Sequence, residues 1–167
     1  MALDFIQEVL TDRAFRQEFL LNPQHWKGLD LTLDLNWQRV EFTDSNKENI
    51  PEAPGIYAFV ISNRDSNVPV NGYIMYIGVA GYKIGSSRNL KIRFKEYIDE
   101  ERRLKRPQVH AMLNFWKGYL DFHFVELSQD QHDLLEIEEK LCGALRPPCN
   151  QNDFDAEIKS IVKAVRL

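Results

Sequence analysis

The sequence predicts an α+β fold in which a small, mostly antiparallel sheet is covered by helices. Two stretches without charges, 55–61 and 73–79, have the composition of central strands, and the polar loop between them predicts a long hairpin. Several other segments place apolar residues at helical spacing. With 167 residues, 44% of them hydrophobic, the chain can bury one substantial core.

The first fifty residues combine helical patterns with one short strand. Residues 3–10 have a helical apolar pattern, and Thr11 is a candidate N-cap for a second short helix that ends at Asn22-Pro23. Residues 24–36 are weakly patterned, whereas 38–42 alternate and predict a strand. We expect this region, 1–50, to be an N-terminal helical and strand extension.

The region 51–152 is predicted to be the core. Ser87 or Asn89 is positioned to cap a helix whose apolar stripe is Leu90, Phe94, Tyr97 and Ile98. A further helix is predicted over 107–118 and a third core strand over 121–127.

The last part of the chain is predicted to be helical. Ser128 and Gln131 have the form of a capping box, and the helix that follows should end before Pro147. Residues 153–167 predict a C-terminal amphipathic helix that packs on the core.

Charge is distributed unevenly along the chain. The segment 83–106 contains nine basic and four acidic residues, a balance of +5, so the remainder carries −9 of the total net charge of −4. A basic stripe on an acidic body suits a polyanion, although a solvated charged helix has the same composition. The candidate DNA-binding residues of this segment are Arg88, Lys91, Lys95, Arg102, Arg103, Lys105 and Arg106.

A carboxylate borders the apolar stripe of the helix that ends near 145. Glu138 is four residues after Leu134 and three before Leu141. Such a group must be paired, extended to solvent or bound to a metal. On the earlier helix, Arg93 and Tyr97 are four residues apart and share a face, where they either hold a phosphate or simply pack together.

Several other classes of protein are not indicated. Cys142 and Cys149 have no metal-binding spacing, the four histidines form no metal motif, and no nucleotide-binding loop occurs. The absence of an 18-residue apolar run and of a signal-peptide pattern gives the expectation of a cytoplasmic chain with no membrane partner.

Five short motifs then follow in a fixed order. They are Gly55-Ile56-Tyr57, Tyr76-Ile77-Gly78, Asn89-Leu90-x-x-Arg93 with Tyr97, Glu138, and Pro147-x-x-Asn150. This order resembles the GIY-YIG endonuclease superfamily over more than half of the chain.

The resemblance implies a sheet of three antiparallel strands flanked by helices, with GIY and YIG on adjacent strands. It also implies roles for individual residues. Tyr57 would activate the attacking water as a general base or through a hydrogen bond, and Tyr76 and Tyr97 would bind water or phosphate oxygens. Arg93 would hold the scissile phosphate, Glu138 would ligate Mg²⁺ or Mn²⁺, and Asn150 would support the site.

The chain differs from many members of the superfamily in two respects. Val79 follows YIG where a lysine is common, and the next loop is longer. Lys83 or Tyr82 from that loop is a candidate for the missing polar group, and Lys83 is the accessory residue we select.

The sequence therefore predicts a metal-dependent DNA endonuclease that acts on double-stranded DNA, of restriction or defence type. The alternative is a catalytically silent relative that binds nucleic acid or protein. Cleavage of two strands with one site per chain requires either a homodimer or sequential nicking.

Overall fold

The computed structural model of the chain describes residues 5–31, 33–64, 67–69, 72–103 and 105–150. The helices and strands are α1 Phe5–Phe15, α2 Pro23–Lys27, β1 Gln38–Glu41, β2 Gly55–Ser62, β3 Gly72–Ala80, α3 Leu90–Arg102, α4 Pro107–Phe115, β4 Leu120–Glu126 and α5 Leu134–Leu145. Two 3₁₀ helices cover Asp44–Asn49 and Pro148–Asn150. The α+β class is confirmed. The predicted C-terminal helix, 153–167, lies outside the described residues.

The sheet has four antiparallel strands in the order β1-β4-β2-β3. The expectation of three strands is therefore wrong. The additional strand is β1, which pairs with β4 and places Val40 opposite Phe122. Without β1, the outer edge of β4 would carry unpaired backbone groups. The predicted N-terminal extension thus contributes one strand to the sheet of the core.

Strand β3 lies at an edge of the sheet, whereas its composition predicts a central strand. Asn150 of the 3₁₀ helix Pro148–Asn150 occupies this edge at Ile77, and α5 packs on one face of the strand. Residues 75–78 of β3 are therefore buried although no strand pairs with them on the outer side. Strand β2 is central as predicted, and seven of its eight residues are buried.

A β-bulge places two consecutive side chains of β3 on one face of the sheet. Phe59 pairs with Tyr76 but Val60 pairs with Ile74, so Met75 is an extra residue in β3. Tyr76 reaches the face that carries Tyr57 by regular alternation, because it lies two residues before Gly78, the partner of Tyr57. The bulge adds Met75 to the same core cluster and reverses the alternation of β3 before Tyr76.

Each face of the sheet has its own apolar cluster. The first face, which carries Tyr57 and Tyr76, is covered by α3 and α4. The second face is covered by α5 and by the leucines of the segment 29–35, which alternate along that segment. The weak pattern of residues 24–36 did not predict that these leucines pack on the second face of the sheet.

Three predicted helix boundaries differ from the structure. Helix α1 is continuous through Thr11, whose hydroxyl donates to the Gln7 carbonyl at 2.9 Å instead of capping a new helix. Asn22 caps the start of α2 and does not end a helix. Asp133, not Ser128, caps α5 by accepting from two backbone N–H groups. Side chains of this kind cap whichever turn they reach, and sequence spacing alone does not decide which.

In the described part of the chain, every helix is too short or too polar to cross a bilayer.

Candidate active site

A cleft of about 540 Å³ opens beside β3. Its walls come from β2, β3, the loop 81–88, α3 and α5. Six residues singled out from the sequence line it, namely Tyr57, Tyr76, Lys83, Arg88, Arg93 and Glu138. Residues that are far apart in the chain therefore converge on one cavity.

The two glycines of the GIY and YIG tripeptides have a packing cause. Tyr57 lies directly opposite Gly78 on the neighbouring strand. A Cβ atom on Gly78 would overlap the ring and hydroxyl of Tyr57, and a Cβ atom on Gly55 would overlap the backbone carbonyl of Val125 in β4. The near-mirrored tripeptides thus let Tyr57 lie flat across β3 while β2 and β4 remain in close contact.

The hydroxyl group of Tyr57 is the centre of a hydrogen-bond network. It accepts from Nη2 of Arg93 at 2.8 Å and from Nε at 3.2 Å. It also lies 2.9 Å from the hydroxyl oxygen of Tyr97. Tyr97 is buried, and its hydroxyl contacts Tyr57, Arg93 and Arg106 but does not line the cleft.

The environment of Tyr57 favours the neutral phenol. Burial, followed by the neighbouring Tyr97 and Tyr76, raises the pKa of Tyr57 well above its ordinary value. The Arg93 cation acts in the opposite direction but offsets only part of this rise. Tyr57 therefore acts in this arrangement as a hydrogen-bonding group.

Glu96 fixes both arginines of the cleft and is a functional candidate that sequence analysis missed. Its carboxylate accepts from Nη1 of Arg93 at 2.6 Å and from Nη2 of Arg88 at 2.8 and 2.9 Å. Burial opposes the ionised carboxylate, but the hydrogen bonds from Arg88 and Arg93 outweigh it and lower the pKa of Glu96. The spacing of three residues between Arg93 and Glu96 is the sequence signal for this ion pair.

Arg93 is a permanent cation held in one orientation. Its partial burial disfavours the charge, but Tyr57, Tyr97 and Glu96 more than compensate, and the pKa of Arg93 is raised. The side chain is 16% exposed. The guanidinium group therefore reaches the cleft while its position is set from behind.

Asn150 holds the centre of the YIG tripeptide. Its amide group accepts from the Ile77 N–H at 2.8 Å and donates to the Ile77 carbonyl at 2.7 Å. Asn150 is fully buried. It thus satisfies two backbone groups that point away from β2 at the edge of the sheet.

The remaining walls supply a carboxylate and a cation. Glu138, on α5, is the carboxylate that lines the cleft and is partly buried there. Lys83 lines the opposite loop, and its ammonium nitrogen lies 5.6 Å from the centre of the Tyr82 ring. Within the described ranges, no three histidine, cysteine, aspartate or glutamate side chains are grouped as metal ligands.

The predicted DNA-binding residues do not form one stripe. Lys91 faces away from the cleft residues and pairs with Glu48 and Glu52, with 14% of its side chain exposed. Arg88 pairs with Glu96, as described above, and Arg106 pairs with the buried Glu100. The exposed members are Arg88, Lys95, Arg102, Arg103 and Lys105.

Comparisons of the chain with protein-family models, with curated proteins and with solved structures found no match. The site is defined by its own geometry, in which two tyrosines, a fixed arginine and a carboxylate share one cleft.

Proposed function

We propose that this protein is a metal-dependent DNA endonuclease that hydrolyses phosphodiester bonds in the cleft, as the resemblance to the GIY-YIG superfamily implies. The observation that carries the proposal is the convergence of Tyr57, Tyr76, Arg93 and Glu138 on one cavity. Hydrolysis of a phosphodiester needs a cation for the phosphate, groups that orient a water, and stabilisation of the leaving oxygen. These residue types supply all three.

Arg93 is the residue that holds the scissile phosphate. A guanidinium group matches two phosphate oxygens, and its contacts with Tyr57 and Glu96 fix its orientation before the substrate arrives. Lys83 and Arg88 add positive charge to the same cleft. Because Glu96 already binds Arg88 and Arg93, the substrate phosphate must compete with this carboxylate.

Tyr57 and Tyr76 orient the attacking water. The raised pKa of Tyr57 favours the hydrogen-bonding role over that of general base. Tyr76 lies on the same face, with its ring centre 6.3 Å from that of Tyr57. Two phenol groups on one wall can therefore position one water or one phosphate oxygen between them.

Glu138 is the residue that would hold a divalent cation. Mg²⁺ prefers oxygen ligands and retains several waters, so a single protein carboxylate is a sufficient anchor. Mn²⁺ accepts the same ligands. When bound there, the cation supplies charge neutralisation for the phosphate and the leaving oxygen.

Cleavage of supercoiled plasmid tests the proposal. We expect the parent protein to nick or linearise the plasmid with Mg²⁺ or Mn²⁺ but not with EDTA. Glu138→Ala should retain DNA binding and lose cleavage by more than about 100-fold, because the cation contributes several kcal/mol to the transition state. Glu139→Ala is the matched control, since this exposed neighbour on the same helix is not part of the cleft.

Two results would contradict the nuclease. One is cleavage that persists unchanged in Glu138→Ala, which would place the chemistry elsewhere. The other is intact DNA binding without cleavage by the parent in any metal, which would favour the catalytically silent binding module.

A further inference from the structure

A second cavity adjoins the cleft on the other side of Tyr76. Its volume is about 410 Å³, and its lining includes Tyr76, Lys105, Arg106, Gln108 and Cys149. Tyr76 lines both cavities, so one tyrosine ring forms their common wall. Among the described residues that line it, the second cavity has two cationic side chains and no carboxylate.

Arg106 is oriented in this cavity by a buried carboxylate and two aromatic rings. Its Nε donates to the Glu100 carboxylate at 3.0 Å, and Glu100 is 5% exposed. Its guanidinium carbon lies 5.0 Å from the centre of the Tyr97 ring and 5.8 Å from that of Tyr76. The side chain nevertheless remains 41% exposed, so an anion can reach it. A planar cation fixed from behind is preorganised for a phosphate.

The two arginines are spaced for one polynucleotide strand. Both guanidinium carbons lie about 5 Å from the centre of the same Tyr97 ring, at 5.2 Å for Arg93 and 5.0 Å for Arg106. The two groups are therefore within roughly 10 Å of each other, a separation that neighbouring phosphates along a strand can bridge.

We propose that the second cavity binds a phosphate that neighbours the scissile one on the same strand, with Arg106 and Lys105 as its ligands. The strand then passes from the cleft across Tyr76. This inference rests on the proposed endonuclease function and adds to it a defined path for the substrate. It also separates Lys105 and Arg106, which line this cavity, from Lys91, which lines neither cavity and pairs with Glu48 and Glu52.

Binding of a fluorescent duplex at several salt concentrations tests the subsite, with Glu138→Ala as the background that prevents cleavage. A plot of log K against log [salt] has a negative slope, and each phosphate contact that is lost makes this slope shallower by about 0.9. We expect Lys105→Ala to reduce the slope by about this amount. Lys117→Ala is the control, because this exposed lysine pairs with Glu101 and lies outside both cavities.

Arg106 requires a substitution that preserves folding. Removing it alone would leave the buried Glu100 unpaired, so the double variant Glu100→Gln/Arg106→Gln replaces the ion pair with two neutral side chains. In steady-state cleavage without the Glu138 change, we expect this variant and Lys105→Ala to raise KM about tenfold and to leave kcat within about twofold. Arg93→Ala should instead lower kcat by about 100-fold or more, because its contact belongs to the transition state.

Three results would overturn the proposed subsite. In the first, Lys105→Ala and the double variant have the same salt dependence of binding and the same KM as a parent that binds and cleaves DNA. That result would contradict the subsite but not the endonuclease. The second is a kcat loss as large as that of Arg93→Ala, which would place Arg106 at the reacting phosphate. The third is the absence of salt-dependent DNA binding by the parent, which would overturn the endonuclease as well.

Discussion

Tyr57 illustrates how a single side chain can be assigned to a site by sequence while its chemical state is set by packing. The motif places a tyrosine on a central strand, but the phenol is enclosed by Gly78, Tyr97 and Arg93. Burial raises the pKa of Tyr57 even though a cation touches its hydroxyl. For a fully buried phenol, desolvation thus outweighs one neighbouring charge.

Because the buried Tyr57 phenol stays neutral, the free energy of unfolding should depend on pH in the alkaline range. The folded-state pKa lies above the unfolded value near 10, so above about pH 10 the unfolded chain binds fewer protons than the folded one. The free energy of unfolding should therefore fall as pH rises above 10. Below that pH, Tyr57 should not make the free energy of unfolding depend on pH.

Urea unfolding of the parent and of Tyr57→Phe at pH 8 and pH 10.5 measures how much Tyr57 contributes to this loss of stability. The two pH values lie below and above the reference pKa of about 10. The parent should lose more stability between the two than the variant does. Tyr119→Phe, at an exposed position, is the control and should behave as the parent. Equal losses in the parent and Tyr57→Phe would show that Tyr57 titrates normally.

At the level of elements, strand β3 determines the geometry of the cleft. It carries Tyr76 and Gly78, regular alternation puts both on the face of Tyr57, and Asn150 holds the intervening Ile77 by two hydrogen bonds. Helix α3 complements it, because Arg93, Glu96 and Tyr97 fall within two turns of one helix. The site is therefore built on regular elements, with only Lys83 and Arg88 supplied by a loop.

The substitution Gly78→Ala tests the role of β3. The added methyl group would overlap Tyr57, so the ring must shift and lose its contact with Arg93. We expect cleavage to fall by more than about tenfold and the free energy of unfolding to fall by about 1–3 kcal/mol, as for other overpacked core sites.

Gly72→Ala, at the beginning of the same strand, is the matched control. A Cβ atom there meets a Val60 methyl group at 3.1 Å, far from the site. Thermal or urea unfolding together with plasmid cleavage measures both variants. Parental activity in Gly78→Ala would mean that the position of the Tyr57 hydroxyl is unimportant for the reaction.

At the scale of the whole molecule, the cleft differs in composition from a separate cavity of about 460 Å³ at the opposite end of β2 and β3. The described lining of that cavity is largely aromatic, with Phe15, Phe19, Tyr73, Trp116 and Tyr119, and includes no carboxylate and no cation. The charged groups that the proposed hydrolysis requires are therefore found at the cleft and not at this cavity.

One site per chain predicts the order of the cleavage products. As the proposed endonuclease, a single protomer would hydrolyse one strand at a time, so nicked circular plasmid should appear before linear plasmid in a time course. If a homodimer forms on DNA, the rate of linear product should rise with more than the first power of protein concentration. Linear product that forms without a nicked intermediate, at a rate proportional to protein concentration, would contradict this expectation.

Much of the fold and of the site was predictable from local patterns. The apolar periods gave β2, β4, α3 and α5, and Asn89 was one of two candidate caps for α3, where its side chain accepts from the Ile92 N–H. The cleft residues were singled out by the order of five short motifs along the chain. Glu96 and Glu100 were harder to find, since the sequence does not reveal which members of a charged helix are turned inward.

By itself, the sequence determined the class of the fold, the strands and helices of the core, and the residue types available for phosphodiester chemistry. These depend on short-range periodicity and on side-chain chemistry, both of which are local. Only the tertiary structure decided that β1 joins the sheet, that β3 is an edge strand with a bulge, and that Arg106 faces Tyr76 and Tyr97. These features depend on contacts between residues distant in the chain, whose burial sets partners, orientation and pKa.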